Sequence, residues 1–184
     1  MTYVIHYAPD NAVLIIRLAL EQRGLPYHAQ LVDRAAQAQR APAYLALNPN
    51  GLIPVLETPQ GPLFETAAIL LWLGDTHGGL GPAPQDNPRG DYLKWLFFVA
   101  NTLHSALRMM FYPDKYIGPD AADQAALRTG LRGWFDLSAT PALLALCKQL
   151  EALPCTAALQ AAEVLGATPF TAPVYPDPPH GSAT

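Results

Sequence analysis

The sequence contains few cysteines, few charged residues and no long apolar run. Its two cysteines among 184 residues, Cys147 and Cys155, form no Cys-x-x-Cys pair, so we expect neither a disulfide framework nor a metal site. Charged residues make up 14% of the chain, and 11 basic against 15 acidic residues give a net charge of −4 without blocks of one sign. Nucleic acids and anionic membrane surfaces are therefore not expected as partners.

Apolar stretches are short, although hydrophobic residues make up 51% of the chain. The run at residues 67–73 is far too short to cross a bilayer. Residues 1–6 carry no basic segment ahead of their apolar residues, so no leader is expected. These features predict a cytoplasmic protein with no membrane contact, whose partner is a small molecule.

The first 77 residues alternate between predicted strands and helices. The pattern predicts strands at residues 3–7 and 27–32, a helix at 11–23, a short helix at 42–47, a hairpin of 55–57 with 63–64, and a helix at 65–77. A βαβ unit followed by a helix, a hairpin and a closing helix is the order of a thioredoxin-like domain.

Residues 78–88 are rich in glycine and proline and read as a linker, after which the pattern becomes helical. Apolar spacing predicts a helix at 90–112 that packs on one face and ends at Pro113, then helices at 119–137 and 140–153. Prolines crowd the end of the chain, where regular helix is hard to sustain. The predicted division is 1–77, the linker 78–88, a helical domain 89–153, and an irregular tail 154–184.

The most informative motif is Asn-Pro-Asn-Gly-Leu-Ile-Pro at residues 48–54, followed by Glu65-Thr66 ahead of an apolar helix. A cis bond before Pro54, where a turn enters a strand, would leave the Ile53 N–H and C=O open to an extended peptide. Thr66 would begin a helix whose free N–H groups favour a carboxylate. The alternative is a common turn and a simple helix cap.

The order and spacing of these features resemble the glutathione site of a glutathione S-transferase, over about the first 110 residues. The resemblance implies a thioredoxin-like α/β N-terminal domain followed by an all-α helical C-terminal domain. It also implies glutathione as co-substrate, no metal, and a homodimer. Ile53, Glu65 and Thr66 would bind glutathione, and Asn50 and Pro54 would shape the loop.

The resemblance implies that the protein makes the glutathione thiol more acidic, because the thiolate is the nucleophile. Lowering a pKa of about 8.5 by two units needs about 2.7 kcal/mol, and one hydrogen bond to a charged group contributes about 1.5–3 kcal/mol. Family members use Tyr, Ser or Cys as the donor, but residues 7–13 contain no Ser, Thr or Cys, and Ala12 stands where beta-class members have cysteine. Asn11 and Tyr7 remain as candidates for the sulfur contact.

Both candidates have a plain structural alternative. Asn11 could only cap the first helix, and Tyr7 could be a core aromatic. The resemblance also implies a pocket for the electrophile on the facing side of the helical domain, with ordinary helix packing as the alternative for Trp95 and Phe111. The predicted lining residues are Trp95, His104, Arg108, Phe111 and Tyr112.

Three functions are consistent with these patterns to different degrees. The first is a transferase that conjugates glutathione to an electrophilic small molecule. The second is a non-catalytic glutathione-binding or scaffold protein, favoured by the missing Ser or Cys and by the unusual tail. Family members carry a Ser/Thr-x-x-Asp motif in the tail region, and residues 165–173 lack the Asp, so an altered C-terminus is one hypothesis. A thioredoxin-type disulfide enzyme is disfavoured because the first helix has no cysteine.

Overall fold

The computed structural model describes residues 2–9 and 11–134, together with residues 148, 149, 152, 154 and 156. The predicted helix at 140–153 and the predicted irregular tail at 154–184 lie, as elements, outside the described residues. The division of the chain into domains at residues 77 and 88 stays a prediction.

A four-stranded mixed sheet forms the N-terminal region, with strand order β2-β1-β3-β4. The central strand β1 pairs in parallel with β2 and antiparallel with β3, and β3 pairs antiparallel with β4. The strands are β1 Tyr3–Tyr7, β2 Tyr27–Leu31, β3 Val55–Thr58 and β4 Gly61–Phe64.

Each face of the sheet carries its own apolar cluster, because side chains alternate along a strand. Helices α1 (Val13–Gln22) and α3 (Thr66–His77) cover one face, and their apolar residues pack on Ile5 and Leu56, both fully buried. The other face holds a smaller cluster under the short helix α2 (Pro42–Leu45). That cluster consists of Ala8, Val32, Tyr44, Ile53 and Val55.

The thioredoxin-like arrangement is confirmed, with small differences in the element bounds. The hairpin strands are longer than predicted because Thr58 closes the turn: its hydroxyl accepts from the Gln60 N–H at 3.2 Å and donates to the Gly61 carbonyl at 2.8 Å. Helix α1 begins at Val13 rather than at residue 11. Helix α2 ends at Leu45, and a 3₁₀ turn precedes it.

Helices follow residue 88, as predicted, but the first is not a regular α-helix throughout. The helix predicted at 90–112 consists of α4 (Arg89–Phe98), a π-helical segment (Val99–Leu103) and α5 (His104–Phe111). A further short helix, α6 (Asp114–Ile117), was not predicted, and α7 (Ala121–Trp134) replaces the prediction of 119–137.

The prediction that this first helix packs on one face is wrong for α4. None of its residues is buried, and Trp95 is 59% exposed. Apolar spacing identifies which residues share a face but does not show that another element covers that face. Within the described part of the chain, no helix is long and apolar enough to span a membrane.

Candidate functional site

The loop at residues 48–54 is held by a buried asparagine. Asn48 is 2% exposed; its Nδ2 donates to the Leu52 carbonyl at 2.9 Å, and its Oδ1 accepts from the Asn50 N–H at 3.0 Å. The Tyr44 hydroxyl donates to the same Leu52 carbonyl at 2.8 Å. Burial raises the pKa of Tyr44 far above its ordinary value, so this hydroxyl stays a donor. The side chain of Asn50 is exposed, and this residue takes part in the loop through the hydrogen bond from its backbone N–H to Asn48 Oδ1.

Ile53 presents an open backbone edge beside the start of α3. The Ile53–Pro54 bond is cis, as predicted, and the Ile53 side chain is buried. Val55 pairs with Phe64 across the antiparallel hairpin. Ile53 lies two residues before Val55 and Thr66 lies two residues after Phe64, so both lie beyond the same end of the hairpin. Among the described residues, none forms a hydrogen bond with the Ile53 N–H or C=O. An extended peptide could therefore bind there by strand addition.

The start of α3 has an unusual backbone and no side-chain cap. Glu65 precedes the helix with φ 71° and ψ 115°, a region that residues other than glycine rarely adopt. Its carbonyl accepts from the Ile69 N–H at 2.9 Å, while no described side chain caps the N–H groups of the first turn. Those N–H groups and the helix dipole favour a carboxylate near Thr66. Backbone strain of this kind concentrates at ligand sites.

Asn11 lies at the entrance to α1 and is half-buried. Its Oδ1 accepts from the Val13 N–H at 3.2 Å, which fixes the side-chain oxygen on the helix side. The Nδ2 group then faces away, and no acceptor for it is found among the described residues. Capping and donation to a thiolate use different atoms of this amide, so the two interpretations are compatible.

Tyr7 packs on the α1 side of the sheet. Its ring contacts the larger apolar cluster, and the Arg17 guanidinium lies 5.3 Å from the ring centroid. Ile53 belongs to the smaller cluster on the other face. The structure thus places Tyr7 and Ile53 on opposite faces, and a role for Tyr7 at the sulfur stays a prediction.

Of the residues predicted to line an electrophile pocket, three lie along α5 and its end. His104, Arg108 and Tyr112 are spaced by four residues, so they share one side of the helix. Trp95 instead lies on exposed α4 with its ring edge-to-face against Phe98, at 5.6 Å between centroids, and Phe111 is 49% exposed. The structure therefore groups the first three and not the last two.

His104 is the first residue of α5, and the charge of Glu65 at the start of α3 acts on it. Partial desolvation and repulsion from Arg108 lower its pKa below the ordinary 6.5, while attraction to Glu65 opposes this shift. The imidazole is therefore neutral at pH 7 and can both donate and accept a hydrogen bond. The charge of Glu65 thus links the N-terminal site to α5.

The sequence did not predict the roles of three residues that contact the 48–54 loop or hold it in place: Tyr44, Asn48 and Arg40. Asn48 is the first residue of the motif, but no sequence pattern indicates that its side chain and the Tyr44 hydroxyl both donate to the Leu52 carbonyl. Arg40 also borders the loop: a Cβ on Gly51, which has φ 62°, would lie 3.0 Å from Arg40 Nη1. Arg40 is recognised as a neighbour of the loop only from the structure, because folding brings it close to Gly51.

The fold and the site together define a thioredoxin-like α/β domain with an open ligand edge, followed by helices. Residues 13–76 match the family described as Glutathione S-transferase, N-terminal domain. Glutathione S-transferase GST-4.5 of Xanthomonas campestris is 33% identical over 129 residues, which cover 67% of this chain and 62% of that protein. The N-terminal region of the chain is thus similar to the N-terminal domain of glutathione S-transferases.

Solved structures agree with this similarity at the level of the fold. The glutathione S-transferase from Xylella fastidiosa has a TM-score of 0.76 at 23% identity, covering 88% of this chain and 98% of that chain. A glutathione transferase from Burkholderia graminis, with two glutathione molecules bound per subunit, has a TM-score of 0.60 at 29% identity, covering 72% and 60%. The chain spans less than two thirds of the length of the curated relatives that it matches.

Proposed function

We propose that this protein binds glutathione and transfers its thiolate to an electrophilic small molecule. The observation that carries the proposal is the open backbone of Ile53 next to the uncapped start of α3. Glutathione is an extended peptide whose γ-glutamyl end carries a free α-carboxylate, so this carboxylate fits the helix start while the main chain pairs with Ile53. The matching family and the glutathione-bound relatives support this choice of ligand.

The proposed sulfur contact is the Asn11 amide. Its NH₂ group faces away from the helix that its oxygen caps, and it lies at the positive end of that helix. In this role one hydrogen bond supplies most of the roughly 2.7 kcal/mol that a two-unit shift of the thiol pKa requires. Tyr7 is the second candidate from the sequence.

Binding is tested by calorimetric titration with glutathione on the wild-type protein and two threonine variants. Thr66→Ala removes the side chain at the start of α3, and Thr76→Ala removes the same side chain near the other end of that helix. We expect wild-type binding, a loss of about tenfold in Thr66→Ala, as for a hydrogen bond to a charged group, and no loss in Thr76→Ala. Absence of binding by the wild-type protein would reject the proposal.

The role of Asn11 is tested by measuring the pKa of bound glutathione. Asn11→Asp keeps an oxygen for the Val13 N–H but replaces the NH₂ donor by a carboxylate, so it separates capping from sulfur contact. We expect the bound thiol pKa to rise in Asn11→Asp and Asn11→Ala, with stability retained in the aspartate variant. An unchanged thiol pKa in both variants would remove Asn11 from this role.

The second candidate is a glutathione-binding protein without turnover. The absence of Ser, Thr and Cys from residues 7–13 favours it. A conjugation assay beside the titration separates the candidates, since binding without conjugation supports the second. We further propose, on the similarity to glutathione S-transferases alone, a cytoplasmic homodimer. Sedimentation equilibrium would measure the dimer mass, and a monomer at all concentrations would contradict it.

A further inference from the structure

A buried histidine lies in the smaller apolar cluster, on the face of the sheet that α2 covers. His6 of β1 is 9% exposed and pairs with Val55 of β3, and Val55 belongs to that cluster. Paired residues of neighbouring strands point to the same face, so the imidazole lies beside the Val55 side chain. Burying such a polar ring costs free energy unless the ring forms a hydrogen bond. The imidazole therefore needs a partner.

Glu57 supplies that partner. Its Oε1 lies 2.7 Å from His6 Nε2, and because a carboxylate oxygen accepts, the ring nitrogen donates. Glu57 follows Val55 by two residues on β3, so its side chain leaves the same face of the sheet. This side chain is 43% exposed. The hydrogen bond thus holds the buried imidazole in one orientation, while solvent still reaches the carboxylate.

The imidazole also contacts Tyr44 of α2. The two ring centroids lie 5.8 Å apart and the ring planes are inclined by 76°, an edge-to-face arrangement that aromatic pairs favour. Tyr44 is 6% exposed, so its ring has little room to turn without moving its neighbours. The orientation of the His6 ring therefore constrains the orientation of the Tyr44 ring.

Tyr44 joins the two ends of the 48–54 loop. Its backbone carbonyl accepts from the Asn48 N–H at 3.0 Å, and its hydroxyl donates to the Leu52 carbonyl at 2.8 Å. The Leu52 carbonyl and the Ile53 N–H belong to one planar peptide group, in which they point in opposite directions. A hydrogen bond to this carbonyl therefore fixes the direction of the N–H and also polarises it toward an acceptor. This N–H is the donor that an added peptide strand would use.

The pair of His6 and Glu57 is better suited to orient a ring than to stabilise the fold. An apolar ring could fill the place of the imidazole, and replacing a buried polar pair by apolar residues is often neutral for stability. Removing the imidazole leaves no buried charge, because the Glu57 carboxylate is already half-exposed. An apolar ring, however, takes no direction from a carboxylate. The hydrogen bond therefore adds orientation that packing alone does not supply.

We propose that His6 and Glu57 are positioning residues for the glutathione site, and that both act through Tyr44. Glu57 orients the imidazole, the imidazole orients the Tyr44 ring, and the Tyr44 hydroxyl aims the Ile53 N–H at the ligand. This proposal rests on the proposed function, because it takes the Ile53 edge as the place where glutathione binds. Neither member of the pair touches the ligand.

The first test is calorimetric titration with glutathione on three variants of the pair. His6→Phe keeps an aromatic ring but loses the donor, and Glu57→Met keeps the length of the side chain but loses the acceptor. We expect each to bind glutathione about fivefold more weakly than the wild-type protein, as for one lost hydrogen bond. Glu57→Gln keeps an accepting oxygen for the imidazole, so its affinity should stay within about twofold of the wild-type value.

His28→Phe is the matched control, because His28 is exposed on β2 and lies outside the pair. It should bind glutathione as the wild-type protein does. The urea midpoint of Glu57→Met should stay near the wild-type value, which separates lost orientation from lost stability. Should His6→Phe not fold, the two Glu57 variants test the same hydrogen bond. Wild-type affinity in Glu57→Met, or an equal loss in Glu57→Gln, would overturn the proposal.

A double-mutant cycle tests whether the pair acts through Tyr44. Tyr44→Phe keeps the ring but removes the hydroxyl that donates to the Leu52 carbonyl. Without this hydroxyl the orientation of the ring no longer reaches the peptide group, so adding Glu57→Met should weaken glutathione binding no further. Losses of affinity that add in the double variant would show that the two side chains act independently, and would contradict the proposed route.

A measurement without ligand separates failure of this proposal from failure of the proposed function. An amide proton–nitrogen correlation spectrum of the free protein reports the Ile53 N–H. We expect its resonance to move in Glu57→Met and to return toward the wild-type position in Glu57→Gln. These shifts support the positioning role even if the wild-type protein binds no glutathione, a result that by itself rejects the proposed function. An unmoved resonance in Glu57→Met overturns the positioning role, and glutathione binding by the wild-type protein then leaves the proposed function intact.

Discussion

The sheet region and the helices that follow it differ in how they bury their apolar residues. In residues 3–77 eight side chains form one cluster, and seven of them are completely buried: Ile5, Val13, Ile16, Leu20, Leu56, Ile69 and Leu73. In α4 no residue is buried, and in α5 only Ala106 is. The region with the dense core is also the region that matches the family. The dense packing and the open Ile53 edge therefore belong to one unit, while α4 and α5 bury few of their apolar residues.

The largest expected effect separates two isoleucines of the two regions. Ile16→Ala, fully buried in α1, should lower the free energy of unfolding by about 2–5 kcal/mol through lost burial and a cavity. Ile117→Ala, 42% exposed at the end of α6, should change it by no more than about 0.5 kcal/mol. Urea unfolding followed by tryptophan fluorescence measures both. Similar losses for the two variants would remove the contrast between the regions.

The next effect concerns the polar support of the ligand edge. Asn48→Ala removes two hydrogen bonds from a side chain that is 2% exposed, so we expect a loss of about 1–3 kcal/mol. The affinity for glutathione should fall with it, because the loop that carries Ile53 loses its anchor. Asn87→Ala, exposed in the linker, is the matched control and should leave both the stability and the affinity unchanged. Retained affinity in Asn48→Ala would show that the loop holds its shape without this side chain.

A smaller effect is expected at the ion pair that joins the two regions. Arg89 of α4 pairs with Asp75 of α3 through two contacts of 2.8 and 2.9 Å, and it also donates to the Pro82 carbonyl at 2.8 Å. Arg89→Lys keeps the charge but loses the forked geometry, so a loss of about 1 kcal/mol is expected. The exposed Lys94–Asp91 pair within α4 is the comparison, and Lys94→Met should produce no measurable change in the urea midpoint. An unchanged urea midpoint in Arg89→Lys would show that the forked geometry of this ion pair adds nothing to stability.

The difference between the sheet region and the helices also explains which parts of the fold could be predicted from the sequence. Strand alternation and turn residues predicted the order of β1 to α3, because a half-buried sheet imposes its period on every strand. The helical pattern at 90–112 predicted helix but neither the π segment nor the exposure of Trp95, since a single helix pattern does not contain its packing partner. In the site, the motif predicted the cis bond and the start of α3.

Other parts of the site depend on residues distant in sequence. The contact of Arg40 with Gly51 and the action of Arg34 on Lys115 arise from segments that only the fold brings together. Nothing in the spacing of these residues predicts their proximity, because basic residues are common on surfaces and carry no period of their own. Sequence motifs therefore predicted the backbone of the Ile53 edge better than the contacts between distant segments.

The smallest expected effect is a pH dependence that arises from His104 of α5. The pKa of His104 in the folded protein lies below its ordinary 6.5, first through desolvation and then through Arg108, with Glu65 opposing. Between these two pKa values the unfolded chain binds more protons than the folded one, so stability is full above pH 6.5 and falls as the pH decreases through it. Because the ring is partly exposed, solvent screening keeps the effect small.

Urea midpoints at about pH 7.5 and about pH 5 should differ less in His104→Gln than in the wild-type protein. His28→Gln, at an exposed position of β2, controls for the loss of an imidazole. An equal pH dependence in His104→Gln and wild type would show that His104 does not cause it.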